Sequence, residues 1–254
     1  MGEEPYSKEV ALLFSGGLDS TLAATVLKET YDKVHLLSVA RGYGQLKVGR
    51  TRRRFDELSD LAGEDEYMYS LLRANSLFRR VVVRSLFRDI VKYKGLFVIC
   101  VGCKLVMHTV GAIYCLSEGI PNIADGASGA TEWMSDQAMA ALDGYRNLHA
   151  ALGLSYSNPV VEIRDREEER KRLRELGIST GRKVAGRDYG TQPICLYGDS
   201  LAFLREALFK VSLPVSDKAI RSYIEEKTPM LIEHVQRHFE LLGEDISVER
   251  VLSS

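Results

Sequence analysis

The sequence has few of the residues that mark exported, fibrous or disordered chains. Its 254 residues include one tryptophan, six prolines and four cysteines. The first ten residues, MGEEPYSKEV, are acidic and polar, so we expect no secretion signal and no disulfide framework. We see no apolar run of membrane-spanning length and therefore expect a cytoplasmic protein without a membrane partner. The formal net charge of -1 excludes a strong overall attraction to nucleic acid.

What is present is the composition of a globular chain long enough to bury a core, with 45% hydrophobic and 27% charged residues. Apolar runs predict five strands, at residues 10–14, 34–39, 66–72, 120–124 and 158–163. Helical spacing follows SGGLDS and recurs at 51–62, 75–93 and 103–117. Strands that alternate with helices predict an α/β fold, a doubly wound parallel sheet covered on both faces.

The chain after residue 164 has a different character, which predicts two units: a domain at 1–164 and a helical C-terminal extension at 165–254. Asp165 and Glu168 form a capping-box pattern at the start of one helix, which Gly177 ends. Thr228 followed by Pro229 predicts the N-cap and first position of another helix. The two units have no low-complexity linker between them.

The motif SGGLDS at residues 15–20 lies directly between the first predicted strand and the first predicted helix. Two glycines allow the backbone to approach an anion, and the free N–H groups of the helix start point at it. Ser15 and Ser20 add hydroxyl donors. Asp19 suits an anion site only if a metal links it to the phosphates, and Mg²⁺ is the natural choice. A plain glycine turn is the alternative interpretation.

SGGLDS resembles the SGGxDS signature of the PP-loop ATP pyrophosphatases, which include argininosuccinate and GMP synthetases, tRNA thiolation enzymes and 7-cyano-7-deazaguanine synthase. The resemblance implies an adenine nucleotide alpha-hydrolase-like (HUP-type) fold with bound ATP. It also implies an enzyme that adenylates a carbonyl or carboxylate oxygen and releases pyrophosphate. The residues that it assigns to ATP phosphates and Mg²⁺ are Ser15, Gly16, Gly17, Leu18, Asp19 and Ser20. Asp19 and Ser20 are also assigned to catalysis.

Two short segments extend the resemblance. GYGQ at 42–45 is similar to the YGQ segment of 7-cyano-7-deazaguanine synthase. ADGA at 124–127 matches a small-residue turn that borders the nucleotide in the family, which makes Gly126 a candidate cofactor-binding residue. Tight turns are the alternative interpretation of both. The compact four-cysteine zinc motif of that synthase has no counterpart here, so the YGQ likeness does not define the function.

Three cysteines form a candidate sulfur or metal site. Cys100 and Cys103 are separated by two residues and lie just before a predicted helix, where the helix dipole favours thiolates. They resemble the CxxC pairs of sulfur-inserting PP-loop enzymes, in which a distant third cysteine completes the ligands of a [4Fe-4S] cluster. Cys195 is the candidate third ligand and a candidate catalytic residue. Zn²⁺ with Cys115 or His108 as fourth ligand and simple burial are the alternatives.

Basic residues cluster in two segments near the predicted nucleotide site. Residues 41–54 contain six basic residues and no acid, and residues 73–94 contain seven basic residues and one acid. Within the second segment, i+4 spacing puts four cations on one face of the predicted helix: Arg80, Arg84, Arg88 and Lys92. Such a surface suits tRNA or an anionic small molecule, whereas a solvated helix face is the alternative.

Three hypotheses follow for the function. The first is an ATP-dependent sulfur transferase that acts on tRNA or on an anionic small molecule. The second is an amidating or nitrile-forming ligase like 7-cyano-7-deazaguanine synthase, and the third is a non-catalytic adenine-nucleotide sensor. A homo-oligomer is compatible with each. We expect Trp133 to pack against other side chains rather than to stack on a base, and we treat His234 and His238 as surface or core residues. Asp136 is a candidate second acid.

Overall fold

The computed structural model of this chain describes residues 8–63, 65–180, 182–184, 187–200 and 215–242. It has nine strands: β1 (Glu9–Leu13), β2 (Lys33–Ala40), β3 (Gln45–Leu46), β4 (Tyr67–Arg73), β5 (Asn122–Asp125), β6 (Ser155–Ser157), β7 (Arg182–Val184), β8 (Arg187–Tyr189) and β9 (Ile194–Cys195). The longer helices are α1 (Leu18–Lys28), α2 (Thr51–Ala62), α3 (Asn75–Val81), α4 (Leu86–Tyr93), α5 (Val98–Glu118), α6 (Met139–Ala151), α7 (Arg166–Glu175) and α8 (Asp217–Leu242).

Five strands form one parallel sheet in the order β4-β2-β1-β5-β6. From β1 the chain first moves outward through β2 to β4, and then crosses to the other side of β1 to form β5 and β6. The strand order therefore reverses between β1 and β5, which is where open α/β sheets bind their ligands. The predicted doubly wound parallel sheet is confirmed.

Alternate residues of β1 explain why the sheet needs helices on both faces. Ala11 and Leu13 pack into one apolar cluster with α3 to α6 and α8. Val10 and Leu12 pack into a second cluster with α1, α2 and α7 on the opposite face. Because every side chain of this strand from Val10 to Leu13 is buried, the sequence reads as a continuous apolar run.

Three elements of the sheet domain differ from the sequence prediction. The strand beside β5 is β6, and the predicted strand at 158–163 is turn and irregular backbone instead. The predicted helix at 75–93 is broken into α3 and α4 by a 3₁₀ turn at Val83–Ser85. Helix α6 was not predicted at all. Short strands and breaks of this kind depend on contacts between distant segments, which periodicity along the chain does not contain.

Helix α5 begins at Val98 rather than at Cys103, so the cysteine pair lies inside its first two turns. The glycine at position 102 leaves room for α8, because a Cβ at this position would lie 2.3 Å from the Tyr223 hydroxyl. By length and composition alone α5 could span a membrane, contrary to the sequence expectation, and most of its apolar window is buried inside the fold. The core helix of a globular domain has the same properties.

The C-terminal region combines helices with strands. Helix α7 has Asp165 as N-cap, whose carboxylate accepts from the Glu167 N–H at 2.9 Å, as the sequence predicts. Beyond it, β7 pairs with β8 and β9 pairs with β3, so the extension is not purely helical. The division at residues 164 and 165 stays a prediction about folding units.

The predicted helix start at Thr228 and Pro229 is wrong, because α8 runs through Pro229 without a break. An interior proline costs a helix about 3 kcal/mol. The compensation is burial: α8 places an apolar stripe against α5 and α6, and each large apolar side chain that it buries contributes about 1.5–3 kcal/mol. The buried apolar residues of this stripe are Ile220, Tyr223, Ile224, Leu231, Val235 and Phe239.

A buried ion pair also joins α8 to α4. The Lys227 ammonium lies 2.9 Å from the Asp89 carboxylate, and both side chains are nearly inaccessible to solvent. Replacing Lys227 with methionine should lower the free energy of unfolding by about 3 kcal/mol, because it leaves a buried carboxylate without its buried cation. Urea unfolding measures this loss.

Lys92→Met is the matched control for that substitution. Lys92 also joins α4 to α8, but it is 54% exposed and pairs with Glu226 at the surface. An exposed pair of this kind contributes less than about 1 kcal/mol. Equal losses of stability in the two variants would contradict a stabilising role for the buried pair.

Candidate ATP and cysteine site

The SGGLDS loop leaves the end of β1 and turns sharply into α1. Gly16 has a φ of +68°, a conformation that favours glycine, and Gly17 is the extended N-cap of the helix. Gly17 has no side chain to cap this helix, and its own N–H donates to the Ser15 hydroxyl at 3.2 Å. The Ser15 and Ser20 hydroxyls are 3.0 Å apart. The loop is therefore built to receive an anion.

Asp19 lies in the first turn of α1 and lines a cavity of about 390 Å³ with Ser15. Its carboxylate accepts a hydrogen bond from Arg166 at the start of α7, and the same guanidinium nitrogen lies 2.8 Å from Glu169. Carboxylate and hydroxyl oxygens are the ligands that Mg²⁺ takes beside phosphates, so this oxygen set fits the ion. Sequence reasoning missed Arg166, whose position directly after the Asp165 N-cap was the available signal.

Residues that follow α7 in the chain contact the SGGLDS loop. The Thr191 hydroxyl donates to the Gly16 carbonyl and in turn accepts from the Arg54 guanidinium at 3.1 Å. A Cβ at Gly17 would lie 2.6 Å from the Gln192 amide oxygen, so the two segments are in close contact. Arg54 is buried and pairs with Glu57, which gives this member of the predicted basic segment a structural role.

Gly126 follows β5 and packs against the first turn of α1. A Cβ there would lie 2.6 Å from the Ser20 Cα and 2.7 Å from the Ser20 nitrogen. Only a glycine therefore allows β5 and the first turn of α1 to approach this closely. Gly126, the candidate cofactor-binding residue, therefore helps to set the position of the first turn of α1.

Replacing Gly126 with alanine should weaken ATP binding by about tenfold or more and cost about 1–3 kcal/mol of stability, because the added methyl displaces α1. Titration calorimetry with ATP and urea unfolding measure the two effects. Gly49→Ala is the matched control, since a Cβ at Gly49 meets no atom within 4 Å. Unchanged ATP affinity in Gly126→Ala would mean that the turn moves without consequence.

Cys100 and Cys103 point from the first turns of α5 into the cavity that Ser15 and Asp19 line. Burial raises the pKa of the Cys100 thiol well above its usual range and that of Cys103 to about 12. Both are therefore neutral thiols at pH 7. The expectation that a helix start favours thiolates does not hold here, because the helix begins before them and desolvation is the larger effect.

Cys195 reaches the same cavity from the end of β9, which pairs with β3. Two donors converge on its sulfur: the Arg41 guanidinium at 2.7 Å and the Gly198 N–H at 3.1 Å. Arg41 is 4% exposed, so this contact is made away from bulk solvent. Cys195 therefore differs from Cys100 and Cys103 in having a buried guanidinium and a backbone N–H as hydrogen-bond donors to its sulfur.

The rival ligands for a closed zinc site lie elsewhere. Cys115 is fully buried in the apolar core, and His108 bonds to His149 and contacts Asp125. In the part of the chain that the structure describes, no three His, Cys, Asp or Glu side chains are placed to hold a metal ion. As positioned, the three cavity cysteines do not form a ligand set for zinc or for a cluster.

A buried polar network that the sequence analysis did not predict joins Lys104 and His108 of α5 to Asp125 of β5. Asp125, at the end of β5, lies 3.1 Å from the Lys104 ammonium and accepts from the Ala127 N–H at 2.8 Å. Burial alone would raise the pKa of Asp125, but Lys104 and His108 hold it well below its usual range. Burial lowers the pKa of His108, so the imidazole is neutral at pH 7. The network fixes the charge of Lys104, which lines the cavity.

Asp136 and Trp133 also line the cavity. Burial raises the pKa of the Asp136 carboxyl, and one of its oxygens is buried without a hydrogen-bond partner in the described part of the chain. Trp133 packs edge-on against Phe97 with ring centroids 6.3 Å apart. Asp136, treated in the sequence only as a candidate second acid, is therefore a cavity residue with free hydrogen-bonding capacity.

The four cations that the sequence places on one helix face, which we call the basic ridge, do not form a free surface. They are Arg80, Arg84, Arg88 and Lys92. Arg80 donates to His234 on α8 at 2.7 Å. Arg88 and Lys92 both pair with Glu226 of the same helix. The break between α3 and α4 also removes the single helix face that the i+4 spacing predicted. Three of these four cations therefore hold α8 in place.

One known protein family matches the part of the chain that contains the SGGLDS loop. Residues 9–127 match the family described as Queuosine biosynthesis protein QueC, which is less than half of the chain. No curated protein sequence is a significant match.

Two solved structures are similar in fold. The U34-tRNA thiolase NcsA from Methanococcus maripaludis with its [4Fe-4S] cluster has 16% identity and a TM-score of 0.45, covering 87% of this chain and 72% of that one. The NMN synthetase from Francisella tularensis has 12% identity and a TM-score of 0.43, covering 97% and 83%. At TM-scores below 0.5 neither structure supports a conclusion about activity.

The family match covers β1, the SGGLDS loop and the strands that surround it. The loop itself has a left-handed glycine, a helix start without a side-chain cap, and two hydroxyls 3.0 Å apart. Over residues 9–127 this chain is therefore similar to the QueC family, and the SGGLDS loop within that span has the form of the PP-loop signature.

Proposed function

We propose that this protein adenylates an oxygen of its substrate, releases pyrophosphate, and transfers sulfur to the activated carbon of tRNA or of an anionic small molecule in the cytoplasm. The observation that carries the proposal is the shared cavity. Ser15 and Asp19 of the phosphate loop line it together with Cys100, Cys103 and Cys195. A phosphate loop and a sulfur site must adjoin if a carbon activated at one is to react at the other.

The chemistry has two stages. In the first, a substrate oxygen attacks the α-phosphorus of ATP, and pyrophosphate leaves with the electrons of the broken P–O bond. The loop N–H groups, the Ser15 and Ser20 hydroxyls and Arg166 stabilise the negative charge that develops on the phosphates. Mg²⁺, held beside Asp19, would neutralise further phosphate charge. In the second stage the Cys195 sulfur attacks the activated carbon, its proton passes to solvent, and AMP leaves with the electron pair of the broken C–O bond. Hydrosulfide then attacks the same carbon and displaces Cys195, which gives the thiolated product without a change of oxidation state.

Within this proposal the cysteines have unequal roles. Cys195, with Arg41 and the Gly198 N–H on its sulfur, is the cysteine placed to attack the activated carbon and to be displaced by hydrosulfide. Cys100 and Cys103 are neutral thiols in the same cavity. Because the three cysteines do not form a ligand set for a [4Fe-4S] cluster or Zn²⁺, no step of the proposal depends on such a metal.

A second candidate function is a nitrile-forming or amidating ligase. It is favoured by the match of residues 9–127 to the QueC family and by the GYGQ segment. In that segment, however, the Gln45 side chain accepts from the Arg41 N–H at 2.8 Å and donates to the Val39 carbonyl at 3.0 Å, which holds the loop. The YGQ likeness therefore has a structural explanation, whereas the three cavity cysteines have none under this alternative.

Anaerobic purification followed by a visible spectrum and by analysis of iron, zinc, acid-labile sulfide and persulfide tests the sulfur site. Mass spectrometry of tRNA and small anionic products formed with ATP and sulfide identifies the transferred atom. We expect pyrophosphate release together with a sulfur-containing product. A nitrogen-containing product would support the ligase. Retention of unhydrolysed ATP with every substrate would support a nucleotide sensor without activity.

A further inference from the structure

A second cleft opens beside the ATP cavity and is joined to it. Gln45 and Val48 line both spaces, and the cleft, about 560 Å³ in volume, continues past Arg73, Asn75 and Ser76 at the start of α3. It lies at the carboxyl ends of β2 and β4, the same edge of the sheet as the phosphate loop. A molecule with a reacting group in the cavity therefore has a path for the rest of its length along this cleft.

The border of this cleft is cationic. Arg73 lines it directly, and Lys47 and Arg50 flank the Val48 wall in the loop before α2. We call these three residues the basic rim. Lys47 and Arg73 are exposed and Arg50 is half-buried. Residues 41–54 contain no acid, and the nearest acid after Arg73 in the sequence is Asp89.

Unlike Arg52 and three of the four cations of the basic ridge, the rim cations have no partner among the described residues. Arg52 pairs with Asp56 at 3.0 Å, and Arg80, Arg88 and Lys92 bond to α8. Among the described residues, no hydrogen bond or ion pair engages the side chains of the basic rim. Unpaired cations beside an open cleft favour a ligand that supplies the missing negative charge.

We infer that the basic rim and its cleft bind the sugar-phosphate backbone of an RNA substrate whose target nucleotide enters the ATP cavity. A small anionic substrate would be held within the cavity itself, where Lys104 and Arg166 already provide positive charge. Cations outside the cavity, spread along an open cleft, suit a chain of regularly spaced phosphates instead. Polar Asn75 and Ser76 provide further contacts to sugar and phosphate oxygens. This inference rests on the tRNA branch of the proposed function.

The test compares rim and control variants of the full chain in binding an unmodified tRNA transcript. The rim variant carries Lys47→Gln, Arg50→Gln and Arg73→Gln. Arg52→Gln is the matched control, because it removes a paired cation only two residues from Arg50. Filter binding is measured from about 50 to 200 mM salt, where phosphate contacts weaken most steeply. ATP affinity of each variant is measured in parallel.

We expect the rim variant to bind tRNA at least about tenfold more weakly and to lose about 2 from the log–log salt slope, since each single-stranded phosphate contact contributes about 0.7. The Arg52→Gln variant should match the wild type, and ATP affinity should stay unchanged in both. Equal effects of rim and control variants, or no tRNA binding by the wild type at low salt, would overturn the inference. Pyrophosphate release with a small anionic substrate would then leave the ATP chemistry intact, so the two failures are distinguishable.

Discussion

Asp19→Asn should lower the rate of pyrophosphate release by roughly 10³-fold or more, the range found when a charge-stabilising group is removed from a preorganised site. Asp19 is the carboxylate that lines the cavity within the phosphate loop. Its negative charge is unfavourable beside a triphosphate unless a cation lies between them. The amide keeps the size of the side chain but removes the charge, so the loss reports on cation binding. Release of labelled pyrophosphate measures it.

Arg166 offers an alternative explanation that the same assay can test. In this structure Arg166 bonds to Asp19 and to Glu169, so Asp19 could act only by orienting the guanidinium. Under that explanation Arg166→Gln and Asp19→Asn have equal effects, and the double variant is no worse than either. Under our interpretation Asp19→Asn has the larger effect and raises the Mg²⁺ concentration needed for half-maximal rate, whereas Arg166→Gln does not.

Asp32→Asn is the control for a lost carboxylate. Asp32 follows α1 at its far end and accepts from the Lys8 backbone N–H at 2.8 Å. It should retain the wild-type rate and the wild-type Mg²⁺ dependence. Wild-type pyrophosphate release by Asp19→Asn would remove the assignment of the loop to metal-bound phosphates.

The sequence predicted that SGGLDS forms the turn between β1 and α1, because that turn is local. Gly16, Gly17, Asp19 and Ser20 are consecutive or nearly so, and their geometry follows from one strand-to-helix turn. Arg166 and Thr191 reach the same loop from more than a hundred residues away. Their side chains carry no distinguishing neighbours in the sequence, so only the fold identifies them.

Helix α8 illustrates a second limit of sequence reasoning. A proline after a threonine is a strong local signal for a helix start, but the apolar stripe on both sides of Pro229 buries more surface than the break would allow. The same helix recruits Arg80, Arg88 and Lys92, which the sequence offered as a nucleic-acid surface. Spacing along one helix cannot predict whether a second helix will pair with its charges.

The fate of the cysteines depends on both kinds of information. Their pattern alone indicated Cys100 and Cys103 as a pair, and the irregular segment before Cys195 predicted that it returns to the site. The structure puts all three on the ATP cavity and Cys115 in the core. What the pattern could not indicate is Arg41, which is buried and contacts the Cys195 sulfur from 154 residues away.

Cys195→Ser should therefore lower sulfur transfer by at least about 10³-fold, as expected when a residue that takes part covalently is removed. Serine preserves the size and polarity of the side chain and can still accept from Arg41 and the Gly198 N–H, so the fold of β9 should persist. Because the phosphate loop does not use Cys195, pyrophosphate release should fall by less than about tenfold. Only loss of the sulfur atom explains such a separation of the two stages.

Cys115→Ala is the matched control, since it removes a sulfur that is fully buried in the core and does not line the cavity. It should lower the free energy of unfolding by about 1 kcal/mol and leave both stages active. Arg41→Met adds a test of the donor: it should slow sulfur transfer while sparing pyrophosphate release, because the sulfur loses its buried guanidinium. Single-turnover assays with labelled sulfide and mass spectrometry of the product measure each stage. Sulfur transfer at the wild-type rate by Cys195→Ser would show that the cavity thiols are bystanders and would direct attention to a ligase reaction at the same ATP site.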